Sequence, residues 1–401
     1  MVSLNRSRVL TVVATLGLGG TERAAETFAR QYRQLGADSR VWAIDDGGPR
    51  RARLAEDRIP VYCGTEIWSN TANWAPDLIH VHTNGVGPED VFMLTSQFPS
   101  ARVVEQNVFS RPTPWSSLLH ASFQLEAECM DRYLKFGGSA PAHIVPNPVE
   151  ISDFFHDPQA ARAFRRSHGI PDTTVLLGRV GQPSCYKWSP LLLHLLQDIV
   201  SKGVDAHLVV VGAPRQLLSD INRSGLQSRV TAITKIEGDS SLRAAYSAID
   251  IFVHVASQGE SFGYVLTEAL LCESPVVTMA TPWADNSQVN VVGNSNMIAY
   301  NRQDMFKTTF NLANNPELRK KIGQEGRKHV VDKYEASAVA ALALEIAQAE
   351  PTKPLVSGSR RLQTWLALLR LRVDPKVRFG AWRWIPSKAL QRVMRFDSDA
   401  S

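Results

Sequence analysis

No run of about 18 consecutive apolar residues occurs in this 401-residue chain, so a membrane-spanning helix is not expected. Cysteine is scarce. Cys63, Cys129, Cys185 and Cys272 stand far apart without a Cys-x-x-Cys pair, which excludes a zinc ribbon or a disulfide framework and reads as a reduced, cytoplasmic protein. No Asp-x-Asp pair is placed to hold a metal, and neither a short-period repeat nor a low-complexity stretch is present. The body of the chain also lacks an excess of positive charge. Net charge is +5, but residues 351–401 hold eleven Lys and Arg against Asp374, Asp397 and Asp399. The remainder is therefore slightly acidic, and nucleic acid is excluded as a partner of the main body.

What is present is ordinary folding material: 44% hydrophobic and 21% charged residues, in a chain longer than one core usually fills. Arg6 and Arg8 before an apolar run imitate a secretory leader, but Thr11, Val12, Val13 and Thr15 are β-formers running into a glycine-rich turn. A first strand over Val9–Ala14 is expected, then a helix over Glu22–Leu35 and a strand over Ser39–Ile44. Further strands at Leu78–His82 and Arg102–Val104 continue the alternation of a parallel α/β sheet. The segment Val145-Pro146-Asn147-Pro148 cannot continue regular structure and reads as a connection. A second α/β pattern follows, with strands at Val175–Gly178, Ala206–Val211, Val230–Ile233, Ile251–Val255 and Pro275–Met279. Helices over Arg302–Asn314, Pro316–Tyr334 and Ala336–Ala349 close it. The expected domains are 1–150, 151–350 and an appended tail, 351–401.

Chemistry concentrates in Glu260-Ser261-Phe262-Gly263-Tyr264-Val265-Leu266-Thr267-Glu268. If a helix opens near Gly263, the two carboxylates lie roughly 10 Å apart along its axis at about 1.5 Å per residue, with the helix N-terminus between them. Unpaired N–H groups and a partial positive charge there suit a phosphate. One carboxylate could then accept hydroxyls of a sugar and the other those of a ribose. The alternatives are a solvated Glu268 with Glu260 as a dipole-facing charge, or a glycosidase pair, for which two carboxylates on one helix are poorly arranged.

Arg179 ends a strand and Lys187 follows eight residues later, so both can converge on one anion. Departure of a nucleoside diphosphate develops negative charge that fixed cations would stabilise. Two solvated loop cations are the plainer alternative. Gly17-Leu18-Gly19-Gly20-Thr21-Glu22 is a strand-to-helix turn in which Gly19 and Gly20 let backbone amides approach a phosphate. Glu22 replaces the third glycine of a dinucleotide fingerprint, which counts against a nicotinamide cofactor even with Asp45 ending the next strand. His80 and His82 share a strand face, with His82 near the carboxyl end where open sheets bind ligands; a hydrogen-bonded structural role is the competing reading for both.

The stretch Glu-Ser-Phe-Gly-x4-Glu-Ala followed by Pro275-Val276-Val277 resembles the Glu-x7-Glu signature of retaining GT-B glycosyltransferases, notably glycosyltransferase family 4. The resemblance implies an α/β GT-B fold, two Rossmann-like domains facing across a cleft. It assigns contact with the transferred sugar to Glu260 and ribose binding to Glu268. Backbone amides across Ser261, Phe262, Gly263, Tyr264, Val265 and Leu266 would hold sugar and phosphate. Arg179 and Lys187 would hold the diphosphate, and Gly19 and Gly20 would lie over it. The implied substrate is a UDP- or GDP-sugar, with no cofactor and no metal required, and the implied acceptor is a glycan or lipid-linked glycan. Many relatives carry a histidine after the strand following His82; here Gln106 and Asn107 occupy that place, and an amide can orient a hydroxyl but cannot titrate near neutrality. With His82 they form the expected acceptor side. The departure leaves open a catalytically silent nucleotide-sugar-binding homologue, or a partner of an active transferase, and the same architecture could also carry an epimerase.

In the tail, Leu362, Trp365, Leu366, Leu369 and Val373 follow helical spacing among arginines, and Trp382 and Trp384 flank Arg383. Residues 352–396 thus combine the ingredients of an interfacial segment on anionic lipid, peripheral to the inner face of the cytoplasmic membrane. A terminal helix packed on the N-terminal domain is the alternative.

Overall fold

The computed structural model describes residues 7–349, Ala72 and Trp283 excepted. The basic tail, including the interfacial segment expected at 352–396, lies outside the described residues. The described residues divide into two compact units, one of residues 7–148 together with 336–349, the other of Val149–Glu335.

In the first unit the elements run β1 (Arg8–Thr15), α1 (Gly20–Gln34), β2 (Asp38–Asp46), α2 (Arg51–Glu56), β3 (Val61–Cys63), α3 (Glu66–Asn70), β4 (Leu78–His82), α4 (Pro88–Gln97), β5 (Arg102–Asn107), β6 (Ala121–Gln124), α5 (Ala127–Lys135) and β7 (Ala142–Ile144). All seven strands are parallel, in the order β3-β2-β1-β4-β5-β6-β7. Both faces of such a sheet are covered, which is why β1 and β4 are apolar almost without alternation. One face carries Leu10, Val12, Ile79 and Val81 against Val91 and Leu94 of α4. The other carries Val9, Leu78, Val104 and Phe123 against Phe28 and Tyr32 of α1.

The second unit runs α6 (Pro158–Ser167), β8 (Val175–Val180), α7 (Leu191–Ser201), β9 (Ala206–Val211), α8 (Arg215–Arg223), β10 (Val230–Ile233), α9 (Asp239–Ala248), β11 (Ile251–His254), α10 (Tyr264–Leu271), β12 (Val276–Met279), α11 (Ser287–Val292), β13 (Ile298–Ala299), α12 (Arg302–Asn314) and α13 (Pro316–Tyr334). Its parallel sheet has the order β10-β9-β8-β11-β12-β13. β8 and β11 are neighbours, yet the chain leaves them toward opposite sheet edges. In open α/β sheets the carboxyl ends of such a strand pair form the ligand crevice.

The last described helix, α14 (Ala336–Gln348), differs from the expected domain limits. Residues 336–348 do not complete the second unit, as the 151–350 boundary had it. Val339, Ala340, Ala343, Leu344 and Ala347 pack beside Phe28, Tyr32 and Phe123, in the core of the first unit. Arg102 at the start of β5 ties the helix end down, its Nη1 donating to Ala349 O at 2.6 Å. The small, apolar face of α14 would be unstable in water and finds its cover there. Among the described residues no helix is long and apolar enough to cross a membrane.

Candidate active site

The second unit brings Glu260, Arg179 and Lys187 together. Glu260 sits on the loop between β11 and α10, and that loop is shaped by two glycines. Gly259 has φ 62°, and a Cβ there would lie 1.8 Å from Asp285 O. Gly263, the N-cap of α10, is left-handed at φ 92°, ψ 68°, a conformation glycine adopts without strain, and the helix begins at Tyr264. The Glu260 backbone is held on both sides: its N–H donates to Gln288 Oε1 at 3.0 Å, and its carbonyl accepts from Ser287 N at 3.1 Å. Gln288, wholly buried, donates in turn to Thr281 Oγ1 at 2.7 Å and Met279 O at 3.1 Å. The loop is therefore braced by α11 rather than by its own turn.

Glu260 is 7% exposed, and its carboxylate faces three groups. Lys187 Nζ donates to Oε2. His254 Nε2 lies 3.3 Å from Oε1, and Arg179 Nη2 lies 4.0 Å from the same oxygen. Burial pushes the carboxyl up, but the His254 hydrogen bond and the Lys187 and Arg179 charges outweigh it and bring it down to about 2. Arg179, fully buried near the end of β8, spends Nη1 on Val180 O at 2.6 Å and Nη2 on Lys187 O at 2.8 Å. It thereby fixes the turn that carries Lys187. Ser257, on the loop before Glu260, holds that turn a second time through Tyr186 O, with its N–H at 3.1 Å. So the two cations do converge on one anion, as their spacing suggested, and in this structure the anion is Glu260.

Glu268 lies one turn inside α10, 5% exposed, and accepts from Tyr246 Oη at 2.7 Å. It is not a solvated helix residue. Between the two carboxylates lies the first turn of α10, where Leu266 N donates to Gly263 O at 2.9 Å. Ser261, Gly263 and Val265 are half-buried there, while Phe262, Tyr264 and Leu266 turn inward.

Sequence reasoning missed three side chains here: His254, Gln288 and Tyr246. His254 had a usable signal, a histidine at the carboxyl end of a strand just before the Glu260 loop. Burial first and the Arg179 charge second push its pKa down to about 4, so it is neutral at neutral pH.

In the first unit the turn after β1 leads through Gly19, the N-cap of α1, to Gly20. Glu22 folds back over it, so that a Cβ on Gly19 would meet Glu22 Oε2 at 2.2 Å, and Arg50 Nε holds Gly17 O at 2.9 Å. The expected acceptor-side residues lie at the carboxyl ends of β4 and β5, because β5 continues to Asn107 beyond the strand read over Arg102–Val104. They are buried rather than displayed. His82 is fully buried, packed 5.7 Å from the Phe28 ring, and neither ring nitrogen has a partner among the described residues. Gln106 Nε2 donates to Val145 O at 2.9 Å. Asn107 is consumed by its own loop, donating to Arg111 O at 2.7 Å and accepting from Phe109 N at 3.0 Å. Beside it, Glu105 gathers Ser122 Oγ at 2.6 Å and Thr113 Oγ1 at 2.7 Å; burial lifts its carboxyl to about 7.

Comparison with known proteins places this geometry in context. Residues 161–329 match the family Glycosyl transferases group 1. A D-inositol 3-phosphate glycosyltransferase of Xylanimonas cellulosilytica is 30% identical over 237 residues, 54% of this chain and 53% of that protein. A phosphatidyl-myo-inositol mannosyltransferase of Mycobacterium leprae is 29% identical over 133 residues, 33% of this chain and 34% of that protein. The matched stretch spans about half the length of the first of these relatives. Among solved structures, HepE of Anabaena in complex with UDP and glucose superposes with a TM-score of 0.70 at 18% identity, covering 84% of this chain and 98% of that one. A glycosyltransferase of Rickettsia africae gives 0.71 at 15% identity, covering 86% and 98%. The fold is GT-B, two Rossmann-like α/β units.

Proposed function

We propose that the protein is a glycosyltransferase that moves a sugar from a UDP- or GDP-sugar to a glycan or lipid-linked glycan acceptor, with retention and without a metal. The observation that carries this reading is the carboxylate pair Glu260 and Glu268 bracketing the first turn of α10, with Arg179 and Lys187 beside it at the β8/β11 switch point. The donor diphosphate takes the helix terminus and the two cations. Glu260 positions the sugar. Glu268, which accepts from Tyr246 Oη, takes the ribose. As the leaving diphosphate gains charge, Arg179 and Lys187 stabilise it, and a diphosphate oxygen draws the acceptor proton on the same face. The matched family and the UDP and glucose held by HepE support the donor class.

Donor turnover by the full-length protein across a panel of nucleotide sugars tests the reading, alongside Glu260→Ala and Arg179→Ala. Loss of turnover by about 100-fold or more in each is expected from removal of transition-state contacts. Unchanged turnover in either variant overturns the assignment. For the acceptor, the inositol-containing names among the relatives make inositol phosphates and inositol lipids the first to try. The proposal extends to anionic membrane contact through 352–396. Removing 352–401 should weaken binding to phosphatidylglycerol-containing vesicles while leaving nucleotide affinity unchanged, and equal vesicle binding would refute that part.

A further inference from the structure

His254 is the last residue of β11 and pairs in register with Thr278 of β12. Both are fully buried. His254 Nδ1 lies 2.8 Å from Thr278 Oγ1, and its Nε2 lies 3.3 Å from Glu260 Oε1. We infer that His254 is a positioning residue for Glu260: its Nε2–H donates to the carboxylate, and the Thr278 hydroxyl, donating to Nδ1, fixes the tautomer that makes this donation available.

The direction of each hydrogen bond follows from chemistry. An ionised carboxylate only accepts, so the proton must be on Nε2. A neutral imidazole then has Nδ1 as its acceptor, and among the described residues the Thr278 hydroxyl faces it. The charged groups around the ring are Arg179 from β8, Lys187 from the turn after it, and Glu260 itself. Burial and then the Arg179 charge favour the neutral ring, Lys187 adds to that, and Glu260 opposes them.

The arrangement gives Glu260 two kinds of support. Lys187 is 34% exposed on a flexible stem, and Arg179 is 4.0 Å away. Lys187 can be drawn toward a diphosphate, whereas Arg179 stays held by Val180 O and Lys187 O. His254 is anchored on a strand through Thr278 and cannot follow. It keeps the Glu260 carboxylate aimed when Lys187 turns to phosphate, which is the task of an outer residue that orients a functional side chain. This kinetic consequence rests on the sugar-transfer reading above; the tautomer does not.

The test uses full-length protein as His254→Leu, His254→Gln and Thr278→Val. His254→Leu should lower turnover at least tenfold while affinity for the nucleoside diphosphate stays within about twofold. His254→Gln keeps an N–H donor and should recover most of that loss, and Thr278→Val should lose severalfold. A His254→Gln variant as impaired as His254→Leu, or affinity falling in step with turnover, overturns the inference. Because a buried substitution can disturb folding, 15N chemical shifts of histidine-labelled wild type give a second measurement, with the His254 signal assigned by its loss in His254→Gln. A neutral Nε2–H ring between pH 6 and 8 is expected, and an Nδ1–H ring refutes the clamp. Absent wild-type turnover on every donor would count against the transferase reading, while the tautomer would still decide the clamp.

Discussion

Replacing Glu260 with Gln separates the charge of this side chain from its shape. Gln keeps an oxygen that can accept from His254 Nε2, but it no longer balances Arg179, which is fully buried 4.0 Å away. At that distance and an effective dielectric near 20 the attraction is about 4 kcal/mol. Breaking a buried pair by removing one partner costs about 3–5 kcal/mol. The lower end applies because Lys187, one-third exposed, can turn to water. A loss of about 3 kcal/mol in a unit of this size corresponds to a fall of roughly 6–12 °C in its unfolding temperature. The same substitution releases two cations for a ligand anion. Nucleoside diphosphate should therefore bind about tenfold tighter to the variant, adding about 1.4 kcal/mol and roughly 3–6 °C to the ligand-induced shift, while turnover collapses. Scanning calorimetry with and without UDP and GDP measures both quantities. A variant as stable as wild type, with an unchanged nucleotide shift, would show that Glu260 does not balance these cations.

Gly259→Ala should be severe for its size. A Cβ at φ 62° lands 1.8 Å from Asp285 O, so the 281–286 loop must move and disturb the Gln288 brace; a loss of about 2–4 kcal/mol with greatly reduced turnover is expected by denaturant unfolding and donor assay. Leu344→Ala, in the buried face of α14, should cost about 2–5 kcal/mol in the first unit while nucleotide affinity is retained. Acid should destabilise the second unit in two steps. His254 and Glu260 both have depressed folded pKa values, so each contributes stability present above its unfolded pKa and lost as pH falls through the folded one. The windows are about 6.5 to 4 for His254 and about 4.5 to 2 for Glu260. His254→Gln should flatten the upper step only, and an unchanged slope between pH 6.5 and 4 in urea titrations would contradict the assignment.

The alternation of β-formers and amphipathic stretches was enough to expect two parallel α/β units, because a strand buried on both faces announces itself as an apolar run. The Glu260–Glu268 pair was legible from its eight-residue spacing around a helix opening near Gly263, since both carboxylates then bracket one helix terminus. Polar residues inside strands were not. The strand read over Arg102–Val104 stopped short of Glu105, Gln106 and Asn107, since nothing in a single sequence tells that Ser122 and Thr113 will satisfy Glu105 or that Val145 O will take Gln106. The face of α14 was readable from Val339, Ala340, Ala343 and Leu344, but an apolar stripe does not name the core that receives it. Periodicity likewise cannot give the Thr278–His254–Glu260 chain, which depends on the register of β11 with β12.

The placement of α14 also bears on how the protein is made. The core containing Phe28, Tyr32 and Phe123 is completed by residues 336–348. Translation must therefore pass through the whole second unit before the first can close. At roughly 5–20 residues per second, about 190 intervening residues take roughly 10–40 s. During that interval Phe28, Tyr32 and Phe123 still await the helix that covers them, and the unit that starts first is finished last. A stop codon just before Ala336 would spare every residue of the proposed donor site and still leave the nascent first unit open to chaperones and proteases.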